Sequence, residues 1–175
     1  MIIFKKLLLT SIFLVTLMSA NAQYDRAFGV KAGLNVPVKS RWDSGFHAGI
    51  MFQNDIYQNL GFGFDICYNL SSFSDSDLHS IELPLLLMYK IKVSQGMYFY
   101  PSAGAFGTVF FDTSMTGSTD YDYGCCFGVG VDIKHFIIDL RYDSGIKTIS
   151  KSGSYFSNSK SSKSQFVKLS FGYMF

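Results

Sequence analysis

Three histidines, His47, His79 and His135, and three cysteines, Cys67, Cys125 and Cys126, are the residues best suited to nucleophilic or metal chemistry in this sequence. A hydrolase or acyltransferase needs a Ser or Cys within hydrogen-bond reach of a His that a third group orients. His79 and Ser80 are adjacent, and neighbours in an extended chain point to opposite faces, which defeats a direct pairing. His47 has no Ser or acid partner close to it in sequence, and His135 falls in a tight turn. None of the three has metal-ligand spacing, and the cysteines do not complete a ligand set. Phosphate-loop and dinucleotide fingerprints are missing as well. The expectation is a protein that is not an enzyme, with no catalytic, cofactor or metal site. The cysteine count is odd, and Cys125 and Cys126 must face opposite ways in a strand. All three are expected to be unpaired packing residues.

The remaining titratable residues are more informative because of what surrounds them. They sit inside segments in which large apolar residues alternate with small or polar ones, the period-two signature of strands with two unlike faces. Phe28, Val30, Ala32 and Leu34 alternate with Gly29, Lys31, Gly33 and Asn35. Phe46 to Phe52 alternate with His47 to Gln53, and Leu60 to Tyr68 with Gly61 to Asn69. Ile81 to Tyr89 oppose Glu82, Pro84, Leu86, Met88 and Lys90. Tyr123 to Val131 oppose Gly124 to Asp132, and Phe136, Ile138, Leu140 and Tyr142 oppose Ile137, Asp139, Arg141 and Asp143. The last segment sets Val167, Leu169, Phe171, Tyr173 and Phe175 against Lys168, Ser170, Gly172 and Met174. A further strand, about Met97 to Phe110, has too weak a pattern to assign faces. Pro84 lacks a ladder donor, so a bulge or local defect is expected there.

Connections near 54–59, 92–96 and 134–135 are short, whereas those near 36–44, 71–79, 112–122 and 145–163 are longer and polar. Short and long connections alternate, as in outer-membrane barrels with short periplasmic turns and long external loops. Alternation alone does not say which face meets lipid. The polar face, however, carries many glycines, which weaken a strand and serve no purpose on a water-facing surface. A narrow eight-stranded interior needs them, because facing side chains compete for space. The apolar set is therefore placed outward and the Gly-plus-charge set inward. The expected fold is all-β: an eight-stranded antiparallel up-and-down transmembrane β-barrel preceded by a cleaved signal peptide. Its lumen is expected to hold a polar network of Lys31, Asp65, Glu82, Asp139, Arg141 and Lys168, centred on Arg141, Glu82 and Asp139, that blocks conduction. Buried charges of nearly balanced sign satisfy the cost of desolvation only when paired. Tyr68, Tyr89, Tyr142 and Tyr173 are candidates for interfacial girdles.

Residues 1–22 read as the signal peptide. Lys5 and Lys6 form a basic start, Leu7 to Leu17 a short apolar core, and Ala20-Asn21-Ala22 a small-x-small site before Gln23. Cleavage between Ala22 and Gln23 leaves residues 23–175 as one outer-membrane β-barrel domain. The full chain carries 15 Lys+Arg and 13 Asp+Glu. Losing Lys5 and Lys6 makes the mature form formally neutral, which gives no reason to expect nucleic acid as a partner. Beyond residue 22 no run of 18 apolar residues occurs, so a membrane can be crossed only by strands.

With the strands laid out, the chain resembles the PorT-like family of outer-membrane β-barrel proteins. The likeness rests on Gly29-Val30-Lys31-Ala32-Gly33-Leu34-Asn35, Ile81-Glu82-Leu83-Pro84-Leu85-Leu86, Asp139-Leu140-Arg141-Tyr142 and the aromatic terminal strand. It implies an eight-stranded barrel in the bacterial cell outer membrane and makes Pro84 a recurring feature. Similarity to outer-membrane proteins in general implies that Phe171, Tyr173 and Phe175 form the assembly signal read by the barrel-insertion machinery. The expected surroundings are the lipid bilayer and lipopolysaccharide, toward which the Lys-rich segment 145–163 can offer cationic contacts. The leading expectation is a non-enzymatic barrel with a structural or interaction role. Alternatives are a subunit of an envelope protein-secretion or assembly complex, and a soluble lipocalin-like carrier of a lipophile. The carrier lacks sequence support, since Trp42, the single tryptophan, falls in a loop.

Overall fold

The computed structural model describes residues 28–38, 44–73, 76–111, 121–149 and 162–175. The expected signal peptide and its Ala22–Gln23 cleavage site lie outside the described residues, as does most of the Lys-rich segment. Nine strand elements follow in chain order: β1 Phe28–Pro37, β2 Gly45–Tyr57, β3 Leu60–Phe73, β4 Ser76–Tyr89, β5 Ile91–Ser94, β6 Met97–Phe111, β7 Tyr121–Ile133, β8 Phe136–Ile149 and β9 Ser162–Met174. β4 and β5 are one strand interrupted at Lys90, and both pair with β6. Eight strands therefore form a closed antiparallel barrel, with β1 flanked by β2 and β9 and the circuit completed between β4 and β6. Closure removes the unpaired edges that no lipid can satisfy.

The turns at one end are two-residue hairpins whose backbone matches strand twist only with positive φ. Gln58 (φ 41°), Gly96 (φ 73°) and Lys134 (φ 58°) supply it, and glycine at 96 adopts that geometry without strain. The termini of the barrel lie at this same end, so it is the periplasmic one by the usual loop asymmetry. Several strands run longer than the sequence pattern suggests. β3 and β4 extend to Phe73 and Ser76, so most of the expected 71–79 loop is a protruding hairpin. Polar residues mask the alternation there, because a strand beyond the bilayer has no lipid face to declare. Likewise β2 runs on to Tyr57 and β8 to Ile149.

Side-chain direction follows the alternation. Leu34, Phe127 and Phe171 are 57, 58 and 57 % exposed on the outside, as are many other large apolar residues along every long strand. Lys31, Asp65, Glu82, Arg141 and Lys168 are buried within. A soluble carrier would hide the apolar set, so the lipocalin-like alternative is excluded by this inversion. The faces of β6, unreadable from sequence, are settled by register. Tyr100, Phe106 and Thr108 point inward and are buried, while Pro101, Ala103 and Ala105 are exposed. Its outer face is small and its inner face aromatic, the reverse of its neighbours, which is why the pattern looked weak.

Pro84 is buried in the lumen wall, paired with Phe106 on the β6 side. On the β3 side, pairing lapses between Phe64↔Leu85 and Cys67↔Glu82 and resumes in the same register. The missing donor thus produces a gap in the ladder without a bulge. The three cysteines are free; Cys67 and Cys126 are buried, whereas Cys125 is exposed on the outer face.

At the periplasmic end a run of aromatic rings crosses the β1–β9 seam. Phe64 stacks on Phe52, Phe52 meets Phe28 at 5.2 Å between centroids, and Phe28 stacks on Phe175 at 5.6 Å. Tyr173 then joins Phe175 to Phe136 edge-on. Such contacts add about 0.5–1.5 kcal/mol each beyond area burial. The backbone N–H of Phe175 donates to the Phe28 carbonyl at 2.9 Å, tying the chain end to the first strand.

Lipid-facing depth sets a measurable cost. Leu169 lies midway along β9, between Leu34 and Leu140. Leu169→Arg is expected to destabilise the barrel by about 2–4 kcal/mol, whereas Val93→Arg, at the periplasmic rim, costs about 0–1 kcal/mol. Reversible urea unfolding in vesicles reads both, and equal costs would contradict the outward placement of Leu169.

Candidate functional site

The inward residues form three layers along the barrel axis. Nearest the periplasm is an apolar plug of Met51, Met88, Tyr100, Ile137 and Met174, with Leu86 packed against it. Unbranched thioether chains fill an irregular gap well, and Gly29 and Gly172 leave space for them. A Cβ at Gly29 would stand 2.7 Å from the Met174 sulfur and 2.9 Å from the Met51 methyl. The sequence placed these methionines on the polar face but gave no sign that they would cluster. That follows only from barrel closure, which brings β2, β4, β8 and β9 to one level.

The middle layer is ionic. Arg141 donates through Nη2 to Glu82 Oε1 at 2.6 Å, and its Nε lies 2.9 Å from Asp143 Oδ1. Lys168 binds Glu82 directly and sits 3.0 Å from Asp143 Oδ2, which completes a four-membered ring of alternating sign. Lys31 pairs with Asp65, and Asp65 lies 3.7 Å from Arg141 Nη1. Three cations thus face three carboxylates, all buried. The structure brings together five of the six residues expected in the lumen network. Asp139 stands outside the ring: it is half-buried and lines a small cavity with Lys31, Gln53 and Tyr100 on the periplasmic side. Asp143 occupies the place expected of Asp139 because Arg141 reaches across the lumen toward Glu82, away from the periplasm. The carboxylate one step along β8 in that direction is Asp143.

The outer layer is polar, made of Asn35, Asn69, Ser71, Ser80, Thr108 and Ser164 with the carboxylate of Asp122 opposite Thr108, all buried. Here the structure also gives His47 a partner that the sequence did not reveal. His47 Nδ1–H donates to Asn35 Oδ1 at 2.7 Å, and the Ser170 hydroxyl donates to His47 Nε2 at 3.0 Å. Asn35 Nδ2 in turn donates to Asn69 Oδ1 at 3.2 Å. His47 and Ser170 are 123 positions apart, and they meet because both pair with Gly33, on either side of β1. A Cβ at Gly33 would stand 2.7 Å from the His47 ring, so the glycine makes the contact possible. A Ser–His–Asn chain is the hydrogen-bond pattern of an activated nucleophile. Ser170 and His47 are each 2 % exposed, and neither lines the cavities at the ion ring's two sides.

The other histidines lie elsewhere. His79 accepts from the Tyr68 hydroxyl on the outer face, with Ser80 buried on the inner one. His135, in the β7–β8 turn, donates from Nδ1 to the Met174 carbonyl at 3.0 Å. No cluster of His, Cys, Asp and Glu suited to a metal occurs among the described residues. Phe171, Tyr173 and Phe175 are all exposed on the outer face of the seam.

No family model matches the sequence, and no curated protein matches it. Solved structures do match the fold. The outer membrane enzyme PagL superposes with a TM-score of 0.59 at 13% identity, covering 83% of this chain and 98% of PagL. Neisserial surface protein A (NspA) gives 0.52 at 16% identity, covering 85% and 97%. The fold is that of an eight-stranded outer-membrane barrel. With an apolar exterior and a charged interior, the protein resides in the bacterial outer membrane, its strands in contact with lipid.

Removing one member of the ring leaves a buried charge uncompensated. Arg141→Met is expected to cost about 3–5 kcal/mol. Adding Asp143→Leu is expected to recover part of that loss, since it deletes the stranded carboxylate. Urea unfolding of the single and double variants in vesicles measures this, and a double variant weaker than the sum of the singles would overturn the ring.

Proposed function

We propose that the protein is a non-enzymatic outer-membrane barrel with a structural or interaction role and a lumen closed to ions. The observation that carries this reading is the filled axis: an apolar plug of Met51, Met88, Tyr100, Ile137 and Met174 beneath an ion ring of balanced charge, all of them buried. PagL shares the fold and is an enzyme, so the fold itself does not decide the matter. What favours the non-enzymatic reading is that Ser170, the serine hydroxyl paired with His47, is buried inside the wall. The lipid bilayer and lipopolysaccharide form its surroundings in this reading, and the insertion machinery engages Phe171, Tyr173 and Phe175 during assembly.

A second reading, a subunit of an envelope secretion or assembly complex, draws on the resemblance to PorT-like proteins. Of the motif residues that carry the likeness, Lys31, Asn35, Glu82 and Arg141 are buried in the lumen, whereas Val30, Leu34, Leu83 and Leu140 are exposed on the outer face. The inward ones specify how the barrel is filled, and the outward ones are the apolar side chains that lipid contact itself requires, which favours the first reading.

Planar-bilayer recordings on pure protein are expected to give no stable large openings, and a fluorophosphonate probe is expected to leave Ser170 unlabelled. Reproducible large openings would remove the closed-lumen reading, and stoichiometric labelling at Ser170 would remove the non-enzymatic one. Co-purification with defined envelope proteins after mild extraction would favour the complex.

A further inference from the structure

The outer layer of the lumen encloses a cavity of about 20 Å³ lined by Asn69, Ser71, Ser80, Thr108, Ser164 and Phe106, among others, with Glu82, Asp143 and Lys168 at its floor. Ser71, Ser80, Thr108 and Ser164 all lie near the long-loop ends of their strands. The cavity therefore belongs to the outward-facing end of the barrel, and the methionine plug closes the other end.

Two lining residues mark it as unfinished, since Asp143 Oδ1 and an Asn69 atom both lack a hydrogen-bond partner. Asn69 is 3 % exposed, its Oδ1 is taken by Asn35, and its Nδ2 has no hydrogen-bond partner. A buried donor left unsatisfied costs about 1–3 kcal/mol, and an acceptor entering the cavity would recover it. The charges at the floor limit what that acceptor can be. Glu82 and Asp143 are already matched by Lys168 and Arg141, so neither an anion nor a cation is favoured there. Four hydroxyls offer both donors and acceptors, and the Phe106 ring offers an apolar wall. Neutral hydroxyl groups carried on a C–H-rich frame match this combination.

We infer that the outward end of the lumen is a binding site for the hydroxylated end of a carbohydrate. The enclosed volume accepts about one hydroxymethyl-sized group, since a water needs roughly 10–15 Å³ by the same measure. The site thus takes the tip of a sugar, while the rest of the molecule extends outward along the barrel axis. Asn69 Nδ2 donates to the inserted oxygen. The chain Ser170–His47–Asn35 holds the Asn69 amide in that orientation, which gives the buried histidine a positioning role without any chemistry at Ser170.

The test is an amide NMR titration of the full mature barrel in nanodiscs. The probes are free glucose, galactose and N-acetylglucosamine, and separately the core oligosaccharide released from lipopolysaccharide. Saturable shifts at Asn69, Ser71 and Ser80 are expected, with dissociation constants on the order of millimolar for monosaccharides. Saturation by the free sugars points to a soluble saccharide, and saturation by the oligosaccharide alone points to a surface glycan; both support the site. Asn69→Leu is expected to weaken binding about tenfold. Ser80→Ala, which only trims a hydroxyl, carries the same test with a smaller loss should Asn69→Leu fail to give a heat-modifiable folded band. Shifts that never saturate, or equal affinity in both variants and the parent, would overturn the proposal.

Discussion

An eight-stranded barrel leaves an interior only as wide as the side chains that fill it, and most features of this molecule follow from that narrowness. Water is scarce in such a space, so each inward polar group must find a protein partner or bear the cost of desolvation. Arg141 meets the demand by engaging Glu82 and Asp143 together, and Lys168 closes the ring through the same two carboxylates. Glycine is the other answer to narrowness. Gly33 gives up its side chain so that His47 and Ser170 can meet across β1, and Gly29 and Gly172 do so for the methionines.

The sequence declared those parts of the fold that are periodic and local. Outward Leu, Phe and Tyr alternating with Gly and charge marked most of the strands, because lipid rewards a uniformly apolar face. β6 stayed unreadable because Pro101, Ala103 and Ala105 give its lipid face little bulk while Tyr100 and Phe106 fill the lumen. The composition of the lumen was legible; its wiring was not. Arg141 was visibly inward, but its choice of Asp143 over Asp139 depends on where Glu82 stands across the barrel, a distance of 59 residues in sequence. The same applies to His47. Its hydroxyl partner lies at the far end of the chain, and only the pairing of Gly33 with both strands brings them level. A reading that had aligned β1 against β9 as well as β2 would have found it.

The layers are not interchangeable along the axis. Apolar packing occupies the periplasmic end, paired charge the centre, and hydrogen-bonding amides and hydroxyls, with Asp122 among them, the outward end. The order has an energetic logic. The ion ring is flanked on one side by a medium of low polarity, which strengthens each pair while raising the penalty for any charge left out. On the other side the amides and hydroxyls grade toward the aqueous loops. Between plug and ring a small cavity remains, lined by Gln53, Tyr100 and Asp139.

PagL and this chain show how little the barrel alone says about chemistry, since one scaffold accommodates an enzyme and, here, a sealed hydrogen-bond chain. What matters is which side of the wall the reactive groups occupy. A strand shifted by one residue would turn Ser170 from lumen to lipid, and a nucleophile on the outer face has acyl chains and headgroups within reach. In this chain the register between Gly33, His47 and Ser170 is fixed on both flanks of β1, and the same register buries Lys31, Asn35 and Lys168. Slipping β9 to expose the hydroxyl would carry Lys168, on the same face of that strand, into hydrocarbon. The lumen network therefore does more than fill space: it holds the serine on the side of the wall where it cannot react with lipid.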